Sequence, residues 1–299
     1  MVKVSVILPI YNVAPYLDET FQSLINQTLK EIEIIAVNDG STDNSEEIIR
    51  KYAQQDSRIS HYSQENQGQS AARNLALQHA QGEYIYFMDS DDVIDTDALK
   101  ICYDYAEKSK ADFIFFDGDT IQEEGAKGIS WDYNRTYLVD EDTQYDGEYL
   151  LNMMLDTYKH NCVVWLLFIR HNYLKRINLS FYPGIIHEDE LYTTILTLES
   201  HNIYALKRTF VWHRIRSLST MGKHYSQRNL NCYLTVIDEL IKYQNSSIIQ
   251  KFATYTLSKV FYTGHQIPFK EKFGVFWRAT KSGYLKYIGL KSVLVFWFK

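Results

Sequence analysis

Apolar and polar positions follow two alternating periods along this chain. Val2 to Ile10 is a nearly continuous apolar run closed by Pro9-Ile10-Tyr11-Asn12, the pattern of a buried strand and the loop after it. Pro15 suits the first turn of a helix, and Leu17, Phe21, Leu24 and Ile25 then recur on one helical face. Glu31 to Val37 is a second β-branched run, followed by the loop composition Asn38-Asp39-Gly40-Ser41. Asp43 and Glu46 have capping-box spacing ahead of a helix whose apolar face is Ile48, Ile49, Tyr52 and Ala53. Ile59 to Tyr62 predicts a short strand. Asn66-Gln67-Gly68-Gln69-Ser70 predicts a turn into a helix through Leu75 and Ala76 that Gly82 ends, and Tyr84 to Met88 a buried aromatic strand. This β-α-β-α-β-α-β series predicts an α/β fold, with a mostly parallel, Rossmann-like sheet flanked by helices on both faces and its functional loops along one edge.

After Asp92 the periodicity weakens. Asp112 to Phe116 predicts another strand, whereas Gly118 to Asp146 is acidic and turn-rich with no clear period. Cys162 to Ile169 fits a strand or a buried helix, and periodicity does not choose between them. From Asn229 the spacing is helical, with Leu230, Tyr233, Leu234, Ile237 and Leu240 on one face. No internal repeat or low-complexity linker interrupts the chain.

Composition narrows the class. A length of 299 residues, 45% of them hydrophobic and 23% charged, suffices for a full core. Cys102, Cys162 and Cys232 are too scattered for a disulfide framework or a CxxC metal knuckle. The N-terminus lacks the charged lead of a signal peptide, and the longest apolar stretch is too short to span a bilayer, so a reducing cytoplasm is the expected location. Residues 251–299 carry nine Lys and Arg against Glu271 alone, a net +8; with −6 for the whole chain, the first 250 residues carry −14. So acidic a body excludes a nucleic-acid backbone as partner.

Candidate chemistry concentrates where the strand Tyr84 to Met88 ends. Asp89, Asp91 and Asp92 crowd into four positions, and in an open α/β sheet the crevice beyond the strands' carboxyl ends is where ligands bind. A divalent cation relieves the mutual repulsion of such carboxylates. The same residues also suit a turn, with Asp92 or Asp95 capping a helix through Ala98, Leu99 and Cys102. Both readings stand at this point.

Four segments taken together resemble the family 2 glycosyltransferases: Val6-Ile7-Leu8-Pro9-Ile10-Tyr11-Asn12, Val37 to Asp43, Asn66 to Asn74, and Met88-Asp89-Ser90-Asp91-Asp92. They come in that family's order and cover the first third of the chain. The resemblance implies a GT-A fold, a UDP-sugar donor, Mn2+ or Mg2+, and transfer with inversion. It implies that Pro9, Tyr11, Asp39, Arg73, Asp89 and Ser90 bind the nucleotide sugar, with Tyr11 stacking on the base and Asp39 accepting from uracil N3–H. Arg73, just inside a helix N-terminus, would meet the diphosphate. Asp91, with Asp89, would hold the metal. Asn38 departs from the family's usual Asp, which bears on the base and ribose contact.

Ile186-His187-Glu188-Asp189-Glu190-Leu191 resembles the family's later Glu-Asp motif, which implies Asp189 as the base for the acceptor hydroxyl. The same acids also suit the first turn of a helix. Trp212 to Met221 resembles a Tyr-Arg-x-Arg-x-x-Ser-x-Met segment with His213 in the tyrosine position; Arg214 or Arg216 is expected near donor phosphate, and His213 is left out of the metal shell. The expected division is a catalytic domain over residues 1–225, its nucleotide-sugar half 1–117 and acceptor half 118–225, then a helical, basic and aromatic region over 226–299. Basic and aromatic residues together suit a membrane surface, which fits the polyprenyl-diphosphate-linked glycan acceptors of many relatives in bacterial capsule and exopolysaccharide synthesis and a place on the inner face of the cell membrane. Partner binding or a packed helical subdomain are the rival readings of this tail. The rival functions are a non-catalytic sugar-nucleotide-binding protein, a sugar-phosphate nucleotidyltransferase, whose Gly-rich basic loop is missing, and a dehydrogenase, whose GxGxxG is missing.

Overall fold

In the computed structural model, which describes residues 1–123, 132–216 and 225–299, the apolar runs of the first ninety residues are the strands of one sheet. Strands β1 (Val4–Ile10), β2 (Ile32–Asp39), β3 (Ile59–Gln64) and β4 (Tyr84–Phe87) lie in the order β3-β2-β1-β4, and all of them are parallel. The period-2 alternation within each run sorts side chains to opposite faces. Val4, Val6, Leu8, Ile34, Ala36, Tyr84 and Tyr86 enter one core, and Ile7, Ile35, Val37, Ile85 and Phe87 the other. Because both faces are buried, the strands read as near-continuous apolar runs.

Helices α1 (Ala14–Ile25) and α2 (Ser45–Gln55) cover the first face, as does α4 (Ala98–Ser109); α3 (Gln69–His79) covers the second. The strand order reverses at β1, with β2 on one side and β4 on the other. The carboxyl ends of these three strands therefore open on a common crevice, at the switch point where open α/β sheets bind ligands.

Beyond β4 the sheet turns mixed. β7 (Leu167–Arg170) runs antiparallel to β4 and to β6 (Phe113–Gln122); β8 (Ile203–Ile215) is parallel to β6, and β5 (Val93–Ile94) closes the edge antiparallel to β8. Cys162 to Ile169, ambiguous in sequence, divides into a 3₁₀ turn at Val164–Leu166 and the start of β7. Strand β8 escapes prediction because the register shifts around Asp117 break its pairing with β6, and with it the period of two. Helix α5 (Gly147–Asp156), also unpredicted, is capped by Asp146, which accepts from the backbone N–H groups of Glu148 and Tyr149.

The predicted capping box is corrected. Asp43 accepts from Ser45 N and from Ala14 N at 3.0 Å, so it serves the first turn of α1 as well as its own loop, while Glu46 turns to Asn38, Arg50, His61 and Ser63. Asp92 is not a helix cap either, since α4 begins after Asp97.

Helices α6 (His171–Ile177) and α7 (Glu188–Leu198) complete the second layer. The C-terminal helices α8 (Gln227–Tyr243), α9 (Ser247–Thr263), α10 (Phe269–Lys281) and α11 (Leu290–Phe298) form a third core with Leu151 and Leu155 of α5 and Leu191 and Ile195 of α7. The C-terminal region thus packs on the helix that carries Asp189. The three cysteines are free, and no helix among the described residues is long and apolar enough to cross a membrane.

Candidate active site

The loop after β2 is built around a buried carboxylate. Asp39 accepts from Gln67 N at 2.9 Å, Gly68 N at 2.8 Å and Gln64 Nε2 at 2.7 Å, fixing the turn that leads into α3. That turn needs Gly68, whose φ of +88° is a conformation that side chains resist. Beside it, Asn38 donates to Glu46 at 2.6 Å and accepts from Ser41 N. An Asp at position 38 would set a second carboxylate against Glu46, which gives the departure from the family pattern a local reason. Pro9 is buried within β1, whereas Tyr11, just past that strand, is 49% exposed.

The acidic turn after β4 is held from below. Thr20 on α1 donates to the carbonyls of Ser90 and Asp92, so the buried Ser90 and fully buried Asp92 are fixed in place. The Asp92 carboxylate accepts from Arg214 N at 2.9 Å and from His213 Nδ1 at 3.0 Å. His213 stacks on Trp165, and although burial opposes its charge, Asp92 with Asp89 and Asp91 lifts its pKa to about 9. Asp91 points elsewhere: its carboxylate pairs with Arg216 at 2.6 Å, and its carbonyl accepts from Arg214 Nε.

One guanidinium joins the two halves of the crevice. Arg73, in the second turn of α3, is 1% exposed. Its Nη2 donates to Asp89 at 3.0 Å, and its Nη1 to Glu188 at 2.8 Å and Asp189 at 2.9 Å. The guanidinium also lies over the Phe181 ring, and Gln69 donates to Glu188. Burial pushes the Asp189 carboxyl up; Arg73 opposes that rise, and Glu188 adds to it. Such a carboxylate is a stronger proton acceptor than one in water.

Asp189 stands in the first turn of α7, behind His187, which has a φ of +68°. His187 stacks on Tyr233 of α8 with ring centroids 4.1 Å apart and is within hydrogen-bond distance of Asn229. The C-terminal helices therefore brace the turn that presents Asp189.

Of the residues singled out by sequence, the fold brings Arg73, Asp89 and Asp189 into direct contact. Asp39 does not touch them; it shapes the loop from which α3 carries Arg73. The donors grouped for a cation are Asp89, Asp92 and His213, their ligand atoms all within 4.8 Å of one another. This set differs from the expected pair by bringing in Asp92 and His213 and leaving Asp91 with Arg216. Glu188 stands out in sequence only as part of an acidic first turn, yet it is buried against Arg73. The signal for His213 is its place ahead of Arg214 and Arg216; Ser219 and Met221 of that segment lie outside the described residues.

Residues 5–177 match the family model described as glycosyl transferase family 2. The chain is 28% identical over 256 residues to an uncharacterized glycosyltransferase, YibD, of Escherichia coli K12, covering 85% of this chain and 74% of that protein. It is 47% identical over 110 residues to the glycosyltransferase GlyA of Streptococcus pneumoniae, a match taking in 37% of this chain and only 16% of GlyA. In structure it is similar to S. aureus TarS solved with UDP-GlcNAc, with a TM-score of 0.73 at 21% identity over 98% of this chain and 83% of that one. It is also similar to the mannosyltransferase PcManGT of Pyrobaculum calidifontis solved with GDP-Man and Mn2+, with a TM-score of 0.58 at 16% identity over 98% and 78% of the two chains.

Proposed function

This chain belongs to glycosyl transferase family 2, and on that footing we propose that it moves a sugar from a UDP-sugar to a hydroxyl of a glycan acceptor, with inversion at the anomeric carbon. The observation that carries the reading is the Arg73 guanidinium, which holds Asp89 and Asp189 on either side of one crevice. UDP-GlcNAc bound to TarS, a protein of the same fold, supports the donor class.

In this reading Tyr11 stacks on the base. Asp39 accepts from uracil N3–H through Oδ2, which receives one hydrogen bond from its own loop and has capacity for another. Asp189 takes the proton of the acceptor hydroxyl as its oxygen attacks the anomeric carbon; the bond to the diphosphate breaks, and its electron pair leaves with UDP. Arg73 holds the Asp189 carboxylate toward the attacking oxygen, and its other terminal nitrogen donates to Asp89 across the crevice.

Two carboxylates and an imidazole suit Mn2+ and, less well, Mg2+, so the residues present fit a divalent ion that would be held by Asp89, Asp92 and His213 once it displaces the His213 proton. Such an ion would supply positive charge against the negative charge developing on the diphosphate. The acceptor proposed is a glycan carried on a polyprenyl diphosphate, with the protein at the cytoplasmic membrane surface.

The test is UDP release from UDP-GlcNAc with Mn2+, with and without acceptor glycan. Asp189→Asn is expected to lower acceptor-dependent kcat by about 10²-fold or more, with donor binding retained. Full activity in that variant would rule out Asp189 as base, and donor binding without any turnover in the wild type would point to a non-catalytic sugar-nucleotide-binding protein.

A further inference from the structure

Helix α10 presents Phe269, Phe273 and Trp277 at i, i+4 and i+8, exposed by 59%, 56% and 70%. Helix α11 presents Leu290, Leu294 and Phe298 at the same spacing, exposed by 75%, 49% and 85%. A face so spaced would ordinarily be buried against a neighbour, but the apolar stripes that fill the third core are the other ones, Val275 and Ala279 on α10 and Phe296 on α11. Trp297, the neighbour of Phe298 on α11, joins the two stripes. Trp297 packs on Phe273 at 5.0 Å and Phe269 at 5.9 Å, and with Phe298 these rings line an open apolar groove of about 420 Å³.

Cations surround this face. Lys281 continues the α10 stripe, Lys270 adjoins Phe269, Lys291 adjoins Leu290 and Lys299 adjoins Phe298; all four are exposed, and none is in an ion pair among the described residues. Glu271 is the only acid in residues 251–299. Two occupants would bury the rings. A second copy docking face to face would oppose lysines to lysines, and lysine is depleted in protein interfaces. An anionic lipid surface accepts the rings below the headgroups and pairs the lysines with lipid phosphates.

We infer that the outer face of α10 and α11 inserts into an anionic lipid surface, seating Phe269, Phe273, Trp277 and Phe298 among the acyl chains with Lys270, Lys281, Lys291 and Lys299 at the headgroups. This deepens the membrane-surface reading above and rests on it. None of these eight side chains belongs to the catalytic crevice.

The experiment is sedimentation of the full chain with phosphatidylcholine vesicles and with mixed phosphatidylglycerol and phosphatidylcholine vesicles. Binding is expected to the anionic vesicles alone and to weaken with added salt. Phe273→Ala and Trp277→Ala should each lower partitioning about tenfold, and the triple variant K270E/K281E/K291E should abolish the preference for anionic lipid. Because these side chains are exposed, thermal unfolding should stay unchanged. Wild-type protein that fails to bind anionic vesicles, or ring variants that bind as well as wild type, would overturn the inference. So would a dimer in solution that Trp277→Ala dissociates, which would assign the face to a second copy. UDP release from UDP-GlcNAc in solution, measured on the same variants, should equal wild type. Its absence in the wild type would count against the transferase reading alone, because vesicle binding is measured without donor or acceptor.

Discussion

Nη1 of Arg73 lies 2.9 Å from Oδ1 of Asp189, a hydrogen-bonded ion pair between the second turn of α3 and the first turn of α7. The same guanidinium reaches Asp89 and Glu188, so three carboxylates share one buried cation. Replacing it with an uncharged side chain leaves those acids in a crowded, partly desolvated cluster. Arg73→Met is therefore expected to lower stability by about 3 kcal/mol, read as a shift of the urea midpoint with little change in slope. An unaltered midpoint would show that solvent already screens these acids.

Asn38→Asp restores the residue usual in the family but sets a carboxylate 2.6 Å from Glu46, where the Asn38 amide now donates. The variant should be less stable than wild type by about 1–2 kcal/mol at neutral pH. The deficit should shrink at acidic pH, as one of the two acids takes up a proton. Thermal unfolding of both proteins at the two pH values measures it.

His213→Ala removes the imidazole grouped with Asp89 and Asp92. Mn2+ affinity should fall by about tenfold or more, whereas Asp91→Asn, at a carboxylate paired with Arg216, should change it less. Calorimetric titration with Mn2+ compares them directly. A larger loss in Asp91→Asn would return Asp91 to the metal set that the motif implied.

Tyr233→Ala removes the ring stacked on His187, which has a φ of +68°. Without it the turn ahead of α7 should relax and Asp189 lose alignment. We expect kcat to fall roughly tenfold with KM for the donor unchanged, since no donor contact is touched. Equal changes in both parameters would assign Tyr233 a purely structural role.

Glu107 ties α4 to the sheet. It accepts from Tyr84, Lys110 and Arg170, and those bonds hold its pKa down at about 2, from an ordinary 4.5. A carboxyl whose pKa is depressed by folding stabilises fully above its unfolded value and loses that contribution as pH falls through the folded one. Unfolding free energy should therefore decline between pH 4.5 and about 2, and less steeply in Glu107→Gln. Identical slopes in urea titrations across that window would refute this.

The apolar runs Val4 to Ile10, Ile32 to Val37 and Tyr84 to Phe87 determined the parallel half of the sheet, because strands buried on both faces announce themselves as near-continuous apolar runs. Local chemistry likewise marked Asp89 at a strand end, and the resemblance to the family's motifs marked Arg73 and Asp189. Only the tertiary structure decided how they pair, since Arg73 can choose between Asp89, Asp91 and Asp189 only once β4, α3 and α7 converge. It also decided that Asp92 meets His213, 121 residues away, while Asp91 turns to Arg216. Successive side chains of a turn leave in different directions, and backbone geometry rather than motif spacing sets which acid faces which partner. Strand β8 and the contact of α8 with His187 were invisible for a related reason: a bulged register hides the period of two, and a ring stacked between distant helices has no period at all.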